Sequence, residues 1–486
     1  MAATARDNPP HIGNYDVIVI GAGIMGAMIA RELSKLQGDF AVLEKEVFPS
    51  SGVSKASLAQ IHLPDFCPLD SLKGRMCRDA PARFKKLSEE LDVPYREVGQ
   101  LWLALEPGHV ANLEEARRRG EASGAAGYEM IGPDKIRALE PHVSDTAVAG
   151  LYCKGVGVIH PPEWVFALVE NAIQNDVRFY PETAVVDITK RTDGTCRILT
   201  SRGTYHTKYV INAAGLYTDD IAHMAGDDHI RLHLRRGTML IFDKSASHLV
   251  RNMIFGTFGP DHSQDISPTV HGNLIVGIRY VETNDKSDTS VSREDIRQTL
   301  ALGQQLVPDL SGKDIITEFS GIMADTNMTR NNDFYITPSE NTPGVIHVMA
   351  SAPGLTAAPG IAAHVINLLA VAGMRQELNK TFQSARTGWP RFANAASTEK
   401  KKMIAQNPKY GHILCRCEQV SEAEIQTAIH RGANTMDAVK HLTRAGMGRC
   451  QGGFCGIPVL NQLSTELGVS PAEITKKGSG SFQIKP

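Results

Sequence analysis

At 486 residues and 42% hydrophobic content, the chain is long enough for two or three domains with cores of their own. A net charge of −2 excludes a global pull toward nucleic acid or an anionic membrane. The charge is uneven: residues 401–486 hold 11 Lys and Arg against 6 Asp and Glu (+5), and the remainder holds 40 against 47 (−7). A basic tail suits docking on an acidic partner, and it suits an ordinary solvated surface equally well.

Eight cysteines in a chain of this length do not make a disulfide framework. Cys67, Cys77, Cys153 and Cys196 are scattered and read as free or buried thiols. The N-terminus, M-A-A-T-A-R-D-N-P-P-H, is polar and shows no apolar signal core. No run approaches ~18 consecutive apolar residues, so no membrane span is expected, and the expected location is cytoplasmic.

In chain order, residues 15–20, Y-D-V-I-V-I, are an apolar β-branched run suited to a buried parallel strand. G-A-G-I-M-G follows, placing Gly21, Gly23 and Gly26 in G-x-G-x-x-G spacing, and then a helical pattern begins. Such glycines allow a tight turn and close approach of a pyrophosphate to a helix N-terminus, the third serving helix–strand packing. A second strand, F-A-V-L, ends in Glu44, 18 residues after Gly26, where a carboxylate can take the ribose hydroxyls of an adenosine. The loop alone leaves NAD and FAD open.

Residues 70–91 and 164–175 read as helices, and 177–179 and 184–188 as strands. Residues 197–212 alternate as a hairpin and run into Asn212, Ala213, Ala214 and Gly215, small residues past which a dinucleotide can lie close to the backbone. Residues 266–278 read as two strands around an H-G-N turn. Pro353-Gly354-Leu355-Thr356 precedes an Ala-rich helix over 357–372, whose N-terminal amides can face an electron-rich cofactor edge.

Residues 376–411 are polar and irregular, with Gly388, Pro390, lysines at 400–402 and Pro408, and read as a linker or covering segment. Ser421 and Glu424 form a capping box for a helix stopping at Gly432, and Thr435 caps a second helix. This helical pair brings together Cys415, Cys417, Cys450 and Cys455, read as C-x-C, 32 residues, then C-x4-C. Thiolate ligation admits an Fe–S cluster or zinc. The C-x-C half is unusual for structural zinc and favours a cluster. Arg416 and Arg449 would offset an anionic cluster, or are ordinary surface charge.

The set G-A-G-I-M-G, L-E-K-E, V-S-K-A-S-L-A-Q-I-H, I-N-A-A-G-L, S-P-T-V-H-G-N and A-P-G-L-T-A-A-P resembles the FAD-dependent oxidoreductases of the D-amino-acid oxidase/glycerol-3-phosphate dehydrogenase superfamily over about 14–372. Within it the likeness runs to the group holding the anaerobic glycerol-3-phosphate dehydrogenase catalytic subunit and L-2-hydroxyglutarate dehydrogenase. Residues 412–475 resemble the bacterioferritin-associated-ferredoxin-like [2Fe-2S] domain. The implied fold class is α/β: a Rossmann-like FAD-binding domain with an inserted α+β substrate domain, plus a small helical C-terminal [2Fe-2S] domain. The oxidoreductase occupies 14–375, its FAD-binding parts about 14–100, 150–225 and 330–375 and its substrate parts about 100–150 and 225–330.

The resemblance implies that Gly21, Gly23, Gly26, Glu44, Lys45, Ser54, Ser57, Val185, Ala214, Gly215, Gly354, Leu355 and Thr356 hold FAD, and that the four cysteines hold [2Fe-2S]. It runs the segment from Ser54 beneath the flavin to His62, which titrates near neutrality and is the candidate base. His271, in the H-G-N turn, reads as structural. Relatives usually carry an arginine where this chain has Met323, and Arg330, Arg279, Arg236 and Lys55 are candidate substitutes, with Arg330 chosen. The expected function is a dehydrogenase of a small polar alcohol or amine, with glycerol 3-phosphate and 2-hydroxyacids first. It would pass single electrons through the cluster to a second electron-transfer subunit or a quinone- or NAD-linked acceptor. The alternatives are an oxygen-using oxidase and a non-catalytic electron-transfer subunit.

Overall fold

The computed structural model describes residues 10–256, 264–389 and 391–484, and Pro390 of the expected linker lies outside them. The chain forms two compact units, Met1–Arg386 and Thr387–Pro486.

In the first unit the apolar run becomes the strand His11–Ile20, flanked in parallel by Thr204–Asn212 on one side and Phe40–Leu43 on the other. Val345–Met349 and Arg178–Tyr180 extend this parallel core, and Tyr335–Pro338 closes one edge. The helices Ile24–Leu33, Pro161–Gln174 and Gly354–Val371 bury Met28, Ile29, Trp164, Leu168, Ile361 and Val365 in one apolar cluster with the strand residues Val17 and Val19. Such strands read as continuous apolar runs because helices cover them. Among the described residues, Gly354–Val371 is the one helix long and apolar enough to cross a membrane, and its Ala357, Ala358, Ile361 and Val365 are buried in this core.

A second sheet of nine strands is mostly antiparallel. Its order runs Ile315–Thr326, Leu232–Phe242, Leu274–Thr283, Asp265–Pro268, Met253–Gly256, Tyr95–Ala104, Ala149–Ile159 and Gln60–Ile61, with Glu129–Ile131 beside Ala149–Ile159. The helix Arg293–Leu306 opens on a Ser292/Asp295 capping box.

The expected helix over 70–91 is two, Leu72–Cys77 and Ala80–Leu91, broken where Pro81 can only start a helical turn. The 376–411 segment divides. Residues up to Arg386 belong to the first unit: the Asn171 side chain donates to Gln383 O at 3.0 Å, and the Arg386 guanidinium reaches Glu170 at 2.5 Å. Beyond it, Ser397–Gln406 is a helix rather than an irregular linker, with Glu399 in its first turn and Met403 buried. The second unit also holds the two expected helices, Glu422–His430 and Met436–Thr443, and the helix Gly456–Leu467.

Candidate active site

The dinucleotide loop is held by backbone contacts. Gly21 sits at φ +100°, and a Cβ there would lie 2.6 Å from Ala213 O. A Cβ on Gly26 would lie 1.9 Å from Gly21 O, so the helix meets the strand with no room for a side chain. Ser54 Oγ accepts from Ile24 N–H at 2.9 Å, and Ser57 Oγ accepts from Ala59 N–H at 3.3 Å. The Glu44 carboxylate accepts from Ala22 N–H at 2.6 Å and Glu46 N–H at 2.9 Å, and burial pushes its pKa up. Lys45 Nζ stands 3.6 Å from the Tyr217 ring centroid. Parallel pairing of Thr204–Asn212 with His11–Ile20 brings Ala214 and Gly215 beside Gly21, with Ala213 N–H donating to Ile20 O at 3.0 Å. Thr183 N–H donates to Glu44 O at 2.7 Å, which carries Val185 to the same edge. Glycines at a strand–helix junction and a buried acid on the next strand fit an FAD pyrophosphate and ribose.

Gly354, Leu355 and Thr356 open the helix Gly354–Val371. Thr356 Oγ1 accepts from His62 N–H at 3.1 Å and donates to Gln60 O at 3.3 Å, tying this helix end to the His62 segment. The His62 ring packs against Phe66 and Phe255, centroids 5.2 and 5.7 Å away, and its Nδ1 is buried and, among the described residues, has no hydrogen-bond partner. Burial pushes the imidazole down to about 4, so it is neutral at neutral pH. Two carboxyls nearby in the fold behave in kind. Asp65 is pushed up to about 7 by burial although Gln100 and Trp102 donate to it at 2.5 and 2.8 Å. Asp265, the cross-strand partner of Phe255, is pushed up to about 8 by burial.

The antiparallel register decides which cations face this segment. Gly321 lies so close beneath Ala56 that a Cβ would be 2.2 Å from Ala56 O. Two residues along on the same face comes Met323, and its direct partner on the next strand is Arg235. The Arg235 guanidinium donates to Asp325 at 2.6 Å and lies 5.1 Å from the Tyr280 ring centroid. Its Nε is buried and, among the described residues, has no hydrogen-bond partner. Asp325 also accepts from Ser351 Oγ at 2.7 Å. Lys73 is buried, its Nζ 3.5 Å from Ala352 O, and burial lowers its pKa.

Arg236 and Arg279 project to the opposite face, where both bond Asp295 of Arg293–Leu306, at 3.2 and 2.9 Å, and Arg236 also meets Asp288. They are structural ion pairs. Arg330 is exposed in the short turn Arg330–Asn332, and Lys55 ends the turn Val53–Lys55. His271 lies with His160 and Glu163, their ligating atoms within 4.8 Å of one another. Arg235 was missed in the sequence because the register of two strands some 80 residues apart decides its face; alternation says only that one of Arg235 and Arg236 points inward.

In the second unit Cys415 ends the strand Ile413–Cys415, and Cys455 precedes the helix Gly456–Leu467. All four cysteines line one cavity of about 290 Å³, together with Arg416, Arg449 and Phe454. Cys417 Sγ and Cys450 Sγ stand 3.7 Å apart, the separation of two thiolates sharing a tetrahedral metal with bonds of ~2.3 Å. A hydrogen bond from Cys455, then backbone N–H groups of Gly446 and Glu418, hold the Cys415 thiol down to about 6. Four gathered sulfurs with amides turned toward them fit a metal–sulfur centre.

Residues 16–368 match the FAD dependent oxidoreductase family. The chain belongs to that family. Residues 413–463 match the BFD-like [2Fe-2S] binding domain. The glycerol 3-phosphate dehydrogenase of Caloramator mitchellensis is 37% identical over 472 residues, 96% of this chain and 98% of the relative. The glycerol 3-phosphate oxidase of Mycoplasma pneumoniae is 29% identical over 73% of this chain and 94% of its own. The solved structure of dithionite-reduced L-α-glycerophosphate oxidase from Mycoplasma pneumoniae, with FAD bound, superposes with a TM-score of 0.73 at 26% identity, covering 78% of this chain and all of that one. This family member is thus a glycerol-3-phosphate dehydrogenase-like oxidoreductase whose cofactors are FAD and a [2Fe-2S] cluster.

Proposed function

We propose that the chain oxidises the secondary hydroxyl of glycerol 3-phosphate, or of a hydroxy compound with a similarly placed anionic group, and delivers the electrons one at a time to an acceptor other than oxygen. The observation that carries this reading is the segment 351–356. Ser351 bonds Asp325, which holds Arg235, and Thr356 bonds the His62 backbone. One short segment thereby fixes an anion-binding cation and a neutral base together.

In this reading Arg235, not Arg330, receives the anionic group through its guanidinium, the side chain being 23% exposed. His62 takes the hydroxyl proton at Nε2, since Nδ1 is enclosed. Phe66 and Phe255 keep water from the ring, which preserves its neutral form. Gly21, Gly23, Gly26, Glu44, Ser54, Ser57, Ala214, Gly215 and Thr356 hold the dinucleotide, with Lys45, Val185, Gly354 and Leu355 around it. Bound FAD supplies the two-electron hydride acceptor, and the cluster held by Cys415, Cys417, Cys450 and Cys455 supplies a one-electron carrier. A cytoplasmic location and a separate electron-accepting subunit belong to the same proposal.

Steady-state rates with an artificial dye acceptor test the substrate class. Glycerol 3-phosphate should exceed glycerol in kcat/KM by roughly 100-fold, the worth of a charge-assisted guanidinium contact. Equal values for the two would remove Arg235 from the reading and with it the anionic substrate.

A further inference from the structure

The [2Fe-2S] site is set unevenly in its unit. Cys415 and Cys455 are buried, whereas Cys417 is exposed and Cys450 partly so. The cluster edge at Cys417 and Cys450 therefore has the least protein over it, and an electron reaches a second molecule most readily there. Beside that edge, on the loop between Cys450 and Cys455, Phe454 is 81% exposed, and one turn on Ile457 is 65% exposed. An aromatic and a branched aliphatic side chain held in water beside a redox centre make the small apolar core of a transient interface.

The charged side chains that line the cluster cavity share one sign. Arg416 and Arg449, both exposed, are the charged side chains lining the cluster cavity, and no carboxylate lines it among the described residues. The six carboxylates of residues 401–486 each take part in hydrogen bonds or ion pairs. Glu418 meets Arg444, Glu422 meets His412, and Asp437 meets Lys476. Glu466 meets His430, while Glu424 and Glu473 complete caps at Ser421 and Ser470. With a net +5 over this stretch, the face attracts negative potential.

We propose that the face formed by Cys417, Cys450, Phe454 and Ile457, ringed by Arg416 and Arg449, docks an acidic one-electron carrier protein. Oxidation of one alcohol to a ketone releases two electrons and two protons. Two carrier molecules each take one electron, and the protons leave to solvent through His62 and the reoxidised flavin. The proposal rests on the cluster being the electron outlet, as in the function proposed above.

The test begins from holoenzyme reduced anoxically with stoichiometric dithionite, so it does not depend on which substrate the flavin site takes. The reduced protein is mixed with the acidic haem domain of cytochrome b5 and, separately, with basic cytochrome c. The acidic carrier should be reduced roughly tenfold faster at low ionic strength, with the difference fading as salt screens the charges. Ile457→Ala should slow the acidic carrier about tenfold while leaving the cluster's visible absorption and dye-linked turnover unchanged. A faster reaction with the basic carrier, a salt-independent rate, or no effect of Ile457→Ala would overturn the proposal. Concentration-dependent self-association abolished by Ile457→Ala, with carrier rates untouched, would overturn it too and assign the face to a second copy of the chain. If glycerol 3-phosphate fails to reduce the flavin while these carrier results hold, the substrate reading falls and the docking face stands.

Discussion

Arg235 and Met323 face each other across two antiparallel strands, so a positive charge has a choice of two neighbouring positions on one face. Arg235→Ala should raise KM for glycerol 3-phosphate about 10- to 100-fold with a smaller change in kcat, since a substrate-binding contact is lost. Arg235→Met combined with Met323→Arg should recover most of that loss, because the guanidinium returns to the same face. A purely structural Arg235, valued only for Asp325, would show no such rescue. His62→Gln should lower kcat roughly 10²- to 10⁴-fold with FAD content unchanged. The His62 pKa, lowered by burial to about 4, lies below the unfolded value of ~6.5. Its contribution to stability is therefore full above about pH 6.5 and is lost as pH falls toward 4. An NMR titration of the His62 ring with a midpoint near 6.5 would contradict the buried, neutral base. His62 was a candidate through the resemblance of its segment to the family's, and its role as base belongs to the proposal. The facing of Arg235, Arg236 and Arg279 was not readable from sequence, because each depends on a pairing register set by distant strands.

At the scale of elements, the strand–loop–helix at residues 11–33 was legible because its signal is local: an apolar run, three glycines and a helical period. The local signal also locates its weakest point. Gly26→Ala would force a Cβ against Gly21 O and should abolish FAD retention, measured as flavin content after purification. Retention of full flavin would mean the helix can shift away from the strand, which the burial of Met28, Ile29 and Leu33 opposes. One capping box was equally readable: Ser421 with Glu424 starts Glu422–His430 as expected. The helix Gly456–Leu467 escaped notice because it begins directly at a cluster ligand, where Cys455 masks the start signal. The helix Ser397–Gln406 is mostly polar, so no apolar stripe announced it.

Over the whole molecule, the order of the two cofactor sites was legible because each is carried by motifs of short span at opposite ends of the chain. The nine-stranded sheet is built from segments between residues 60 and 326, and no local pattern encodes its strand order. The proposed division of labour between the two units makes a sharp prediction. Cys417→Ser should leave reduction of the flavin by substrate intact but abolish electron delivery to a protein carrier. The most direct measurement is anoxic rapid mixing of purified holoenzyme with glycerol 3-phosphate, following the flavin band and then the [2Fe-2S] signal. The account predicts bleaching of the flavin, followed by reduction of the cluster in the same molecule, with both slowed in Arg235→Ala and His62→Gln. A flavin that stays oxidised with glycerol 3-phosphate, while dithionite reduces both centres, would contradict it.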